Sequence, residues 1–450
     1  MTARAPRAST ALRPLKVPLQ DETTLANGLK VTIVPRGPLP LVSVRLIVRS
    51  GAAFDTHKGV ADFTARLLRR GAGGKTADEI SEAVDFVGAS ISGWASEDAW
   101  GIALNTPSKH LEAMLPIFCA LLLEPEFPQS ELELLRRRTL AQITNELDDP
   151  GAVADRALLR AMWQGHPYGH EVCGTMTDIR ALQRDELHRY MRNRVGPRIS
   201  QLFLVGDVQT DTVMPMIEKL LGAWEGGPEA SPELPGWPQA ALAGQVVIVD
   251  KPEQTQVQMR IAGRGVKRGH PDHFPLAVMS TVLGGGFTSR LVTEIRVKRG
   301  LSYGAGCHFD MLSAAGAFTV SSFTKNESIE ELIKIALGEV AKMRTKGPTP
   351  KEVATVERYI SGLYPARLET NDAIAGALSD VAFYGLPGDW ISQYRERICA
   401  VTPKNATDAA RAHLFEKSEA VIVLVGNAAL LGPKLEKHGP VSIWKPSQLE

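Results

Sequence analysis

Three sets of residues in this 450-residue chain carry side chains able to do chemistry. The first is His166-Pro167-Tyr168-Gly169-His170-Glu171, with imidazoles at i and i+4. On a helix that spacing puts both rings on one face and suits a divalent metal. Pro167 and Gly169 argue against a helix, so the segment reads as a turn with satisfied histidines. The second set is Arg296 and Tyr303, seven residues apart. A guanidinium and a phenol supply donors that can hold peptide carbonyls and steady developing oxyanion charge. Taken alone, the two also read as a surface Arg and a core Tyr. The third set is Asp62 and Arg66, an i, i+4 pair that stabilises a helix by about 0.2–0.5 kcal/mol. Val60, Phe63 and Leu67 would form that helix's buried face. No Gly-x-Ser-x-Gly turn, reactive Cys setting or ordered Ser/His/Asp set supports an independent hydrolase.

The elements that must position these residues follow one plan written twice, offset by about 220 residues. Gln201-Leu-Phe-Leu-Val-Gly-Asp207 and Val421-Ile-Val-Leu-Val-Gly-Asn427 are matching apolar strands. Upstream of each, a capping box opens a helix: Ser130 with Glu133, and Thr349 with Glu352, the latter with Pro350 at the first helical position. Leu29–Val34 and Leu41–Val48 read as strands with a Pro35–Pro40 turn between them. Thr76-x-x-Glu79 caps a helix with an apolar stripe of Ile80, Ala83, Val84 and Val87, closed by Gly88. Glu225 to Gly244 holds four prolines and four glycines and reads as a linker. The expected organisation is a flexible arm (1–20), an N-terminal domain (21–225), a linker (226–245), a C-terminal domain (246–440) and a tail (441–450). Each domain should be α+β, a mainly antiparallel sheet with helices packed on one face.

The bulk numbers set bounds. The chain is 44% apolar and 22% charged with a net charge of +1, which makes no case for nucleic acid. Arg136-Arg137-Arg138 reads as a solvated helix face. Cys119, Cys173, Cys307 and Cys399 lack CxxC spacing and read as small apolar residues rather than a metal cluster or disulfide framework. No apolar run of about 18 residues spans a membrane. Residues 1–16 hold four basic groups, no acid and no apolar core, which is not the form of a secretory signal. As given, the chain reads as cytoplasmic, and as periplasmic if a signal has been removed.

The segment Gly59-Val-Ala-Asp62-Phe-Thr-Ala65-Arg66-Leu-Leu68 resembles the Gly-Leu-Ala-His-Phe-Leu-Glu-His-Met helix of the pitrilysin-type (M16) zinc metallopeptidases. In that family the two His bind zinc and the Glu is the general base. Here the His positions are Asp62 and Arg66, and the base position is Ala65. The family's distal Glu lies on an Ile-Leu-x-Glu-Ile helix before Asp-Asp-Pro. Here Leu140-Ala141-Gln142-Ile143 precedes Asp148-Asp149-Pro150, so the ligand position is Gln142. All four positions are vacated, and Arg66 sets a fixed positive charge where a dication would sit. This chain is expected to bind no metal or other cofactor.

A second signature is kept. Leu283-Gly284-Gly285-Gly286-Phe-Thr288-Ser289-Arg-Leu291 leads into Glu294-Ile-Arg296-Val-Lys-Arg-Gly300-Leu-Ser-Tyr303. It looks like the family's Leu-Arg-x-Lys-x-Gly-Leu-x-Tyr segment, with Thr288 or Ser289 capping a helix, Leu291, Val292 and Ile295 facing inward, and Tyr303 beginning a strand. The resemblance implies that Arg296 and Tyr303 contact substrate carbonyls near the scissile bond. The Gly284–Gly286 turn is shorter than the glycine-rich loop of mitochondrial processing peptidase alpha subunits, which argues against presequence selection of that sort. Gly88 to Asp98 resembles the family strand that pairs with extended substrate. Its Asn-Ala is replaced near Gly93-Trp94, and Ser92, Gly93, Trp94 and Ala95 form either a peptide-binding strand or an ordinary sheet edge.

The resemblance implies one half of a clamshell around a peptide. On this reading the chain is the zinc-less, non-catalytic subunit of a heterodimeric zinc metalloendopeptidase, inactive alone. A homologous partner carries His-x-x-Glu-His and the zinc, and the substrates are peptides. The alternative is a catalytically inert M16-like scaffold or peptide-binding protein, comparable to the respiratory-complex core subunits that look like family members.

Overall fold

A computed structural model describes residue 15, residues 18–238 and residues 243–450. The expected arm at 1–20 and linker at 226–245 therefore lie partly outside the described residues. Two six-stranded sheets carry the fold. The first is built from β1 (Asp21–Thr24), β2 (Lys30–Pro35), β3 (Leu41–Val48), β4 (Ser90–Ala95), β5 (Trp100–Pro107) and β6 (Ser200–Gly206). The second uses β7 (Val246–Asp250), β8 (Gln256–Arg264), β9 (Ala305–Met311), β10 (Gly316–Lys325), β11 (Val421–Gly426) and β12 (Val441–Trp444).

The spatial orders are β1-β2-β6-β3-β5-β4 and β12-β7-β11-β8-β10-β9, so five of six positions correspond between the halves. β6 and β11, the two strands read as a repeat, take the same inner place. Each pairs parallel on one side and antiparallel on the other. The sixth place differs: β1 fills it from upstream, running antiparallel, and β12 fills it from the C-terminal end, running parallel. Residues 441–450, expected to form a tail, thus supply a strand. The sheet edge at β7 takes up their backbone groups, a pairing that no local pattern announces.

Most helices lie on one face of their own sheet, and α1 (Val60–Leu67) belongs to that layer. The first core gathers Val31, Val44, Leu46, Ile102, Leu104 and Leu204 from the strands with Phe63, Leu67, Phe118 and Ile143 from the helices. The second face of each sheet is covered by a helix from the other half. α3 (Pro150–Met162) follows α2 (Gln129–Asp148) in the first half, yet Val153, Ala157 and Ala161 pack on Val247, Val249, Val423 and Val425 of the second sheet. α4 (Asn371–Phe383) returns the exchange, setting Ile374, Ala375 and Leu378 on Val34, Ile47, Phe203 and Val205. Such burial stabilises by about 25 cal/mol per Å² of apolar surface removed from water.

Polar contacts fix the exchange. Asp98 accepts from the Tyr168 hydroxyl at 2.5 Å and from the Ser313 backbone N–H at 2.8 Å, while Tyr168 in turn accepts from the Ala314 N–H. Asn371 on α4 accepts from Arg36 and donates to the Leu41 carbonyl, both at 2.8 Å. Lys251 donates to the Leu147 carbonyl at 2.8 Å.

The expected caps are met at Thr76 with Glu79 and at Thr349 with Glu352, both complete capping boxes. Ser130 is not a cap. α2 begins at Gln129 behind Pro128, which takes the capping position, and Ser130 falls inside the first turn. Arg136 is likewise not a solvated residue. It is buried, donates to the carbonyls of Ile179 and Leu182, and pairs with Glu133 at 3.1 Å. Arg137 and Arg138 are exposed. Cys119 and Cys307 are buried and Cys173 is half-buried, but Cys399 is exposed, unlike a small core residue. Among the described residues no helix is long and apolar enough to cross a membrane.

Candidate functional site: a filled zinc position and an open Arg/Tyr edge

α1 packs as its pattern requires: Val60, Phe63 and Leu67 are fully buried. Asp62 and Arg66 form the expected pair at 3.0 Å, one turn apart. Burial pushes the Asp62 carboxyl above its ordinary range, and the Arg66 guanidinium works against that shift. Ala65 is buried. Its carbonyl lies so near the edge strand β4 that a Cβ added at Gly93 would sit 2.1 Å from it. Gly93 is therefore fixed by close approach of helix to strand. Gln142 on α2 is exposed and donates to Glu146 at 2.8 Å.

These residues do not fit zinc. One carboxylate is committed to a guanidinium, the base position is a methyl group, and the third ligand position is an amide bonded elsewhere. Among the described residues, the one His/Cys/Asp/Glu group close enough to share an ion is His270, Asp272 and His413, in the second half. Their numbers lie too far apart for a spacing argument, so sequence reading passed over them. The His413 ring nitrogen is already engaged by Asp272 at 2.7 Å.

The His166 segment is the expected turn. His166 Nδ1 accepts from the Tyr168 N–H, and Nε2 sits 2.9 Å from the Pro235 carbonyl. His170 Nδ1 lies 3.0 Å from the Glu171 carbonyl. β4 is a sheet edge, as expected, with Ser92, Gly93, Trp94 and Ala95 in its ladder to β5. Trp94 lies under the Arg45 guanidinium, 5.3 Å from its ring centre. The Ile91 carbonyl accepts from Arg69 at 3.0 Å.

The other site residues lie at the matching edge of the second sheet. Gly284 buries its backbone against β9, where a Cβ would meet the Cys307 nitrogen at 2.5 Å. Gly285 and Gly286 complete the turn, and Ser289 rather than Thr288 sits at the helix start, its oxygen 3.5 Å from the Val292 N–H. Leu291 and Ile295 are buried and Val292 is half-buried. The expected helix departs from α geometry. Val292–Val297 is wound as a π-helix, with the Lys298 N–H reaching the Thr293 carbonyl. Short π segments of this sort concentrate at functional sites. Gly300, at φ +61°, closes it.

Strand β9 starts at Ala305, so Tyr303 precedes it by two residues and stays free of the ladder. Tyr303 is 82% exposed, and Phe287 at 78% and Val297 at 71% are exposed as well. Lys298 and Arg299 are both answered by Glu294, at 2.5 and 2.6 Å. Arg296 has no acidic partner among the described residues and lies over the Phe287 ring at 5.1 Å. Arg290 anchors the segment, gripping Glu352 with two donors at 2.7 and 2.8 Å. Burial alone would raise the Glu352 carboxyl, but Arg290 and the Thr349 cap hold it down at about 2. A cavity of about 920 Å³, lined by Arg268, His273, His308, Trp390 and Tyr394, reaches the Gly285 turn. Burial, with Arg268 alongside, holds His273 neutral with its pKa lowered to about 4.

Two duplicated α+β halves, with Asp62, Ala65 and Arg66 standing on the helix that resembles the zinc-binding one, define a peptidase-like protein that lacks the zinc-binding motif. The chain belongs to the M16 peptidase family. The family profile described as "Insulinase (Peptidase family M16)" matches residues 31–176, and "Peptidase M16 inactive domain" matches residues 181–359. The chain is 25% identical over 443 residues to an uncharacterized zinc protease of Mycobacterium bovis, covering 96% of this chain and 97% of that one. It is 22% identical to the uncharacterized zinc protease YmxG of Bacillus subtilis over 353 residues, 78% of this chain and 85% of that one. Among solved structures it is similar to a peptidase M16 inactive domain from Pseudomonas fluorescens. There the TM-score is 0.85 at 26% identity, covering 91% of this chain and 98% of that one.

Proposed function

We propose that this chain is the non-catalytic subunit of a heterodimeric M16 metalloendopeptidase. Arg296 and Tyr303 hold the substrate backbone in a site whose zinc and general base come from a homologous partner. One observation carries the reading: while the zinc position is emptied and repacked, Arg296 and Tyr303 remain exposed, and among the described residues Arg296 has no acidic partner, only the bare Phe287 ring. A fold gains nothing in stability by leaving Phe287, Val297 and Tyr303 in water, and their exposure supports a surface that is covered in use. Arg296 and Tyr303 would donate to carbonyl oxygens of an extended peptide, and those bonds strengthen as negative charge builds on the carbonyl under attack. A zinc held by the partner would provide Lewis-acid chemistry and an activated water.

The test is hydrolysis of a fluorogenic peptide by this chain, by a zinc-bearing partner and by the two together. Activity in the mixture well above the partner's own supports the composite site. A mixture no faster than the partner alone overturns it in favour of an inert scaffold.

A further inference from the structure

Between the end of α1, the following turn, the edge strand β4 and the first half of α2 lies a cavity of about 370 Å³. Its wall includes Arg66, Arg69, Arg70 and Arg138, against a single acid, Glu131. Two of the four cations are answered: Arg66 by Asp62 at 3.0 Å, and Arg70 by Glu131 at 3.8 Å. Arg138 has no partner among the described residues. Arg69 spends one donor on the Ile91 carbonyl, and its Nε is shut off from solvent with no acceptor. A buried cationic donor without an acceptor costs free energy unless an acceptor arrives. Ser92 and Gly93 also line the cavity, so it opens beside the edge strand to which an extended chain would add.

We infer that this pocket receives a carboxylate of a bound peptide, presented by a chain running along β4. The inference rests on the peptide-holding role proposed above and names the substrate class: peptides bearing an acidic group. The chemistry is that of a guanidinium fork closing on two carboxylate oxygens, a geometry an ammonium does not supply. The volume admits one side chain or one chain terminus, not a folded domain. Where the family resemblance places a metal cation, this chain has fixed cations a few residues further along the same helix and turn. The carboxylate comes either from an Asp or Glu side chain or from the peptide's C-terminus.

Fluorescence anisotropy with the full chain and four labelled peptides of one extended sequence tests this. The peptides carry Glu or Gln at one internal position, each with a free or an amidated C-terminus. Tighter binding of either Glu peptide by about tenfold, the discrimination of one charge-assisted hydrogen-bonded contact, assigns the pocket to a side chain. The same preference for the free acid over the amide assigns it to the C-terminus. Arg138→Ala, on an exposed side chain, should erase most of that preference, weakening the preferred acid peptide far more than the Gln amide. Equal binding of all four peptides overturns the pocket while leaving the peptide-holding role intact. An acid preference that survives in both Arg138→Ala and Arg70→Ala also overturns it. No binding of any peptide overturns both.

Discussion

β4 and β9 hold the same outer place in two copies of one sheet, and they differ in what lies upon them. At β4 the helix α1 is pressed onto the strand so closely that only a glycine fits beneath Ala65, and Asp62 answers Arg66 within the helix. At β9 the preceding π-wound segment leaves Arg296 without an acid among the described residues and Tyr303, Phe287 and Val297 in solvent. On the reading proposed above, the contrast is the physical difference between a lost site and a kept one. Once zinc ligands are gone, ordinary packing and ion pairing take over, because a helix is stabilised chiefly by what it buries. A site still in use goes on carrying exposed apolar surface and unanswered charge, which folding alone does not reward.

The sharpest test is functional. In a complex with a zinc-bearing partner, Arg296→Ala or Tyr303→Phe should lower kcat/KM by about a hundredfold, the scale of one lost oxyanion donor, with assembly unchanged by size-exclusion chromatography. Wild-type rates from both variants would erase the functional difference between the edges.

The next test addresses the helix packed on β4. Gly93→Ala forces a methyl group into the Ala65 carbonyl and should cost about 2 kcal/mol or more, read from urea unfolding. Gly286→Ala, at the open edge and with nothing within 4 Å, should leave the urea midpoint almost unmoved.

Much of this comparison was legible in the sequence, and what was hidden had a common cause. The duplication, the Thr76 and Thr349 caps and the amphipathic face of α1 are local signals that the structure repeats. Ser130 misled because a capping-box spelling also fits a helix that starts two residues earlier, at Gln129 behind Pro128. The buried Arg136 and the strand at Val441–Trp444 depend on partners over forty and nearly two hundred residues away. The π winding at Arg296 was invisible for a similar reason, since its residue pattern suits an α-helix equally well. The chemistry of the Arg/Tyr segment was readable only through its resemblance to the family.

A third measurement concerns how the open edge is held. Glu352→Gln weakens the grip on Arg290 and should cost about 1–2 kcal/mol near neutral pH, the pair being partly screened by solvent. Because the folded-state carboxyl sits near 2, below its usual 4.5, this contribution is complete above pH 4.5 and fades as pH falls toward 2. The stability gap between wild type and Glu352→Gln should shrink across that window; a gap constant with pH would show that Glu352 is not charged in the fold.

The smallest effect belongs to the pair that replaces two ligands. Asp62→Asn should cost only about 0.5 kcal/mol by thermal unfolding. A loss of several kcal/mol would mean that the emptied position has become a structural keystone.

The crossed helices α3 and α4 bear on how such a molecule moves and came to be. Each half lends the other the cover for a sheet face, so a cut in the loop between them would strand two oily surfaces rather than release two independent units. The chain should unfold in a single transition, with the halves melting together. If the proposed pairing holds, whatever opens to admit a peptide lies at the seam with the partner subunit, since the two halves of this chain are clasped like two hands with interlaced fingers.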